Sequence, residues 1–113
     1  MLKRTTRLVI GLLLLHICHN GASAGAGWTT YGRVIELQPT TAGRFLVRLD
    51  GVSNPSGCRD ETWFYRDYTG GEVELLFHAL LGAVTYNLAV RVYVSGRCDL
   101  NGYSEISSAG IAP

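Results

Sequence analysis

Few side chains in this 113-residue chain are of types that carry out catalysis, and their spacing decides against most of it. His78 is the one histidine beyond the first 24 residues, and it stands in a largely apolar stretch without a serine or cysteine motif beside a second base. Asp60, Glu61 and Asp67 lie close together, but carboxylates on loops are usually solvated, and nothing pairs an acid with a base. Gly70-Gly71 lacks a phosphate-cradling pattern and reads as turn geometry. Cys58 and Cys98, with a lone histidine, offer too few ligands at too wide a spacing for zinc. The expectation is a protein that is not an enzyme, with no catalytic residue, metal or other cofactor.

The aromatic residues point to binding. Trp63, Phe64, Tyr65 and Tyr68 cluster in the middle of the chain, and Trp28 and Tyr31 lie nearer its start. A sugar needs an apolar ring face to stack on and hydrogen-bond partners for its hydroxyls, which aromatic, hydroxyl and arginine side chains supply together. Thr30, Tyr31 and Tyr65 are the residues expected to make or border such a site. Strand alternation places at least one of Trp63 and Phe64 in the core.

The compartment follows from the first 24 residues. Lys3, Arg4 and Arg7 precede an apolar run, Leu8 to Leu15, too short to span a bilayer, and Ala22-Ser23-Ala24 fits signal-peptidase cleavage. Residues 1–24 therefore read as a cleaved secretory signal, and residues 25–113 as one small secreted or periplasmic domain. Ile17 is too bulky for lipoprotein processing at Cys18. Beyond the signal remain seven arginines, no lysine and nine acidic residues, a balance of −2. That carries no electrostatic footprint for nucleic acid. No second long apolar run is present, so no transmembrane segment is expected. In an oxidising compartment Cys58 and Cys98 are expected to form a disulfide, worth about 4 kcal/mol on the chain-entropy model.

The elements that must position these residues are short. Trp28 to Leu37 has strand composition, and Pro39 and Gly43 mark a turn. Arg44 to Asp50 is an amphipathic strand with Phe45, Val47 and Leu49 on one face. After a loop ending at Cys58, Thr62 to Tyr65 reads as a third strand. Gly71 to Tyr86 is the single long helix, with Thr69 or Asp67 as its cap and Asn87 at its C-terminus. Ala89 to Ser95 and Tyr103 to Ile111 are the last two strands. Three strands, a helix and two strands is the order of the OB-fold, a five-stranded, partly open barrel. A five-stranded sheet with a helix on one face is the alternative.

The helix has two apolar faces. Val73, Leu76, Phe77, Leu80 and Val84 recur at helical spacing and form the expected core face. Leu75, Ala79, Gly82 and Tyr86 form a second strip, expected at an oligomer interface because such strips are uncommon on monomers.

Val34-Ile35-Glu36-Leu37, the Phe45–Leu49 strand, Trp63 before a Leu/Ala-rich helix, and Leu88-Ala89-Val90-Arg91-Val92-Tyr93-Val94 together resemble the B subunits of subtilase-type and pertussis-like bacterial toxins. The resemblance spans most of residues 25–113 and lies in strand pattern and spacing. It implies an OB-fold protomer in a five-membered ring, glycan pockets on the outer wall, and a catalytic A subunit as partner. Those families set a serine beside a tyrosine near the first strand against sialic-acid-type sugars. The matching stretch here is Thr29-Thr30-Tyr31-Gly32, with Thr30 offering the hydroxyl and Tyr31 the ring. A stand-alone periplasmic or secreted domain that inhibits or scaffolds another protein is the rival reading.

Overall fold

A computed structural model describes residues 25–113, and the segment read as a signal, residues 1–24, lies outside the described residues. Six strands and one helix follow in order: β1 (Gly27–Trp28), β2 (Gly32–Pro39), β3 (Arg44–Asp50), β4 (Trp63–Asp67), α1 (Val73–Tyr86), β5 (Ala89–Cys98) and β6 (Ser104–Ala112). Starting at β2, each strand pairs with the next around a ring of β3, β4, β6 and β5, and β5 returns to β2. Every pairing is antiparallel except β4 with β6. This is the expected OB-like barrel. Among the described residues no helix is long and apolar enough to cross a membrane.

Alternation builds the core. Phe45, Val47 and Leu49 of β3, Phe64 of β4, Val90, Val92 and Val94 of β5 and Ile106 of β6 are all fully buried. Helix α1 covers the barrel with Leu76, Leu80 and Ala83, and Phe77 meets Phe45 edge to face at 5.4 Å. A leucine such as Leu80, with no exposure, contributes about 2–3 kcal/mol by leaving water. The buried stripe is centred closer to Ala83 than expected, and Val73, Phe77 and Val84 are half-buried at its margin.

Several boundaries differ from the sequence reading. The expected first strand is two, β1 and β2, because Thr29 interrupts it. The Thr29 hydroxyl accepts a hydrogen bond from Val92 N (3.1 Å) and donates to Thr30 O (2.9 Å), so that the side chain takes the Val92 N–H that a regular ladder would give to a backbone carbonyl. Neither Thr69 nor Asp67 caps α1. The Asp67 carboxylate is held by Arg44 at 3.1 Å, and Glu72, in the left-handed region at φ 57°, occupies the N-cap without a side-chain hydrogen bond. The helix accordingly starts at Val73, two residues later than expected. Strand β5 runs on to Cys98 through an irregular register beyond Val94. Asn87 does end the helix, in the left-handed conformation expected of it, donating its N–H to Ala83 O.

The Cys58–Cys98 disulfide is present and ties the 51–62 loop to the end of β5. A buried polar cluster holds the same loop to β6. Ser104, fully buried, lies 2.8 Å from the Ser56 hydroxyl and accepts from Asn54 Nδ2 at 3.0 Å.

Candidate functional site: an aromatic wall around Arg91

Because Val90, Val92 and Val94 point inward, Arg91 and Tyr93 of β5 must point outward. The register of β1 on β5 sets Trp28 directly opposite Tyr93. Thr29 then pins the chain to Val92, through its N–H to Val92 O at 2.9 Å, and Thr30 and Tyr31 emerge on the same outer wall. Four side chains from three segments meet there. The Arg91 guanidinium lies 4.4 Å from the centre of the Trp28 ring and 5.3 Å from that of Tyr31, and Trp28 meets Tyr93 edge to face at 5.5 Å. Each cation–aromatic contact contributes about 0.5–1 kcal/mol at an exposed site.

Gly110 of β6 makes room for this arrangement. It pairs with Arg91, and a Cβ there would stand 3.1 Å from both Cγ and Nε of the arginine. Among the described residues Arg91 has no carboxylate partner, and its Nε is buried without a hydrogen bond. The wall therefore presents an unneutralised cation between two rings that remain exposed, Trp28 at 42% and Tyr31 at 46%.

Tyr31 also borders a shallow cleft of about 350 Å³ formed with Gly32, Arg33, Asp50, Gly51 and Ala89. Thr30 stands beside it. Its hydroxyl oxygen accepts from Ser53 N at 2.8 Å, which leaves the hydroxyl proton for an outside acceptor. A ring face, a cation, a hydroxyl and the Asp50 carboxylate are thus gathered within one stretch of surface.

Thr30 and Tyr31 belong to this surface; Tyr65 does not. Tyr65 is on the outward side of β4 but only 3% exposed, because Arg44 covers its ring at 4.1 Å while paired to Asp67 and to Asp99 (2.7 Å). The structure thus does not bring Tyr65 together with Thr30 and Tyr31. Burial, together with the Glu105 carboxylate, raises the Tyr65 phenol above its ordinary value of 10.0, against the pull of Arg44 and Arg97. Of Trp63 and Phe64, Phe64 is core and Trp63 is half-buried, stacked on Tyr103 at 6.0 Å. The residues missing from the sequence reading of the site are Arg91 and Tyr93. Their outward positions in β5 are visible in the alternation, but the β1–β5 pairing that brings Trp28 to them is not.

The loop carboxylates are in structural use. Asp67 pairs with Arg44, and Asp60 accepts hydrogen bonds from Thr62 N (2.9 Å), Trp63 N (3.0 Å) and the Thr62 hydroxyl (3.3 Å). Burial of Asp60 favours its neutral form, but these hydrogen bonds and the Arg48 charge outweigh it and hold the carboxyl below its ordinary 3.8. A depressed carboxyl pKa stabilises the fold above the unfolded-state value, and that stability is lost as pH falls through the folded value. Asp60→Asn should therefore flatten the fall in urea midpoint below about pH 4. Carbon-13 titration of the Asp60 carboxyl should give a pKa under 3.8; a value at or above it would show that burial dominates.

His78 is exposed on α1 and is not among the side chains that meet Arg91. The expected interface strip is on the surface as well. Leu75 is 66% and Tyr86 76% exposed, with Ala79 and Gly82 half-buried between them.

No protein-family model, characterised protein or solved structure matches this chain.

Proposed function

We propose that this chain is a secreted, non-catalytic binding subunit that recognises acidic cell-surface glycans and assembles into a ring. The observation that carries the reading is the Arg91 guanidinium, unpaired by any carboxylate among the described residues and set between the exposed rings of Trp28 and Tyr31. A sugar carboxylate of the sialic-acid type would meet the arginine, its apolar ring face would stack on an aromatic, and its hydroxyls would reach Thr30 and Asp50. The resemblance to subtilase-type and pertussis-like B subunits supports the same class of ligand and a catalytic A subunit as partner. Secretion is supported by the pattern of residues 1–24 and by the disulfide, which fits an oxidising compartment.

Assembly is supported by the α1 strip. Gly82 lies mid-helix, where glycine costs about 1 kcal/mol relative to alanine, and a Cβ there would meet nothing within 4 Å. The protomer's own packing does not call for a glycine at that point, whereas close approach of a neighbouring subunit would. The resemblance makes a five-membered ring the expected form.

A glycan array is the test. Sialylated glycans should bind and their desialylated counterparts should not, and Tyr31→Ala or Arg91→Ala should abolish the signal. Binding that survives both substitutions would move the site elsewhere. One feature favours the rival, a protein-binding domain: β2 pairs with β5 only at Gly32 and Arg33, which leaves Ile35 to Pro39 unpaired on that side. An extended peptide could add there as a strand. A silent array together with capture of a β2-edge peptide would favour that reading.

A further inference from the structure

We infer that the turn carrying Leu100 docks into a groove of a second copy of this chain, the two copies exchanging the contact about a two-fold axis. The groove, about 390 Å³, lies between the start of α1 and the β2–β3 hairpin. Pro39, Phe45, Val73 and Phe77 give it an apolar floor, and Glu74 and His78 stand at its lip. A neighbouring hollow adds Glu72 to that lip, and no arginine lines either one.

Leu100 is 99% exposed, the most exposed large apolar side chain among the described residues. Single exposed leucines are ordinary, but this one is held out on a fixed turn. Asp99 N donates to Tyr103 O and Gly102 N to Asp99 O, both at 3.0 Å, while the Asp99 carboxylate accepts from Asn101 N and Tyr103 N. Such a turn loses little freedom when it binds. Arg59 Nη2 donates to Leu100 O at 3.0 Å, which sets a positive charge beside the leucine. A leucine with a cation at its flank is complementary to an apolar groove with an acidic lip.

Arg44 ties the two together. It bridges Asp67 and Asp99, and these residues directly precede Tyr68, which lines the groove, and Leu100. Knob and groove are thereby held at a set separation. A knob and a groove on one chain are satisfied pairwise by a two-fold operation, in which each copy gives its leucine and receives the other's. The contact does not require the α1 ring. With the ring it joins two rings; without it the product is a dimer.

Light scattering coupled to size exclusion decides the matter. The contact is small, so the wild-type mass should double between low and high micromolar concentration. Leu100→Ser, at a fully exposed position that the fold does not use, should abolish the doubling. Glu74→Arg should do the same, and Arg59→Glu combined with Glu74→Arg should restore it. A mass that stays constant for the wild type, or doubles equally in Leu100→Ser, overturns the inference. A single chain at low concentration that becomes two at high concentration would remove the ring and leave this contact standing.

Discussion

Glutamate in place of Leu76 is expected to unfold the domain, while the same substitution one position earlier, at Leu75, leaves it folded and releases monomers. The two residues are neighbours in sequence and about 100° apart around α1, on opposite sides of the boundary between core and surface. Leu76 is packed against the barrel, so its loss costs about 2–5 kcal/mol, and an unpaired carboxylate in its place adds several more. Domains of this size have total stabilities of about 5–15 kcal/mol, which leaves little or nothing. Leu75 lies mostly in water, and a carboxylate there costs the isolated protomer almost nothing. In a ring it would meet the neighbouring subunit. Far-ultraviolet circular dichroism should thus show a lost fold for Leu76→Glu and a native spectrum for Leu75→Glu. At low micromolar concentration the Leu75→Glu mass should be that of one chain, against a multiple for the wild type. A wild type that is already a single chain there would end the ring proposal.

Removing the disulfide should have the second largest effect. Cys58 and Cys98 are 40 residues apart, and opening a loop of that length lowers stability by about 4 kcal/mol in the chain-entropy account. For a domain of this size the corresponding fall in Tm is roughly 16–32 °C. The bridge is not the only tie on the 51–62 loop, since the buried Ser56–Ser104–Asn54 cluster also holds it. The double variant Cys58→Ser, Cys98→Ser should therefore keep its native spectrum at low temperature and unfold early on heating. A Tm within a few degrees of the wild type would show that the cluster alone is enough to hold the loop.

Where short-range rules govern, the chain declares its structure. The bounds of β3 and the inward valines of β5 follow from alternation, and α1 and its Asn87 terminus follow from helical spacing and local turn chemistry. The pairing of the only two cysteines beyond residue 24 follows from the expected compartment. What stayed hidden depends on partners distant in sequence. Thr29 breaks the first strand because its hydroxyl bonds to Val92, 63 residues away. Tyr65 has the composition of a surface aromatic, yet an arginine held by two distant carboxylates covers it. The wall around Arg91 has the same origin. No local pattern brings Trp28 to β5; the closure of the barrel does.

Trp28 is itself a reporter for that wall, so the most direct measurement is an intrinsic-fluorescence titration with a sialylated oligosaccharide and its desialylated counterpart. The account predicts a saturable change with the sialylated sugar alone, absent in Trp28→Phe and in Arg91→Ala. An equal response to both sugars, no response at all, or a response that persists in Trp28→Phe through Trp63 would contradict it.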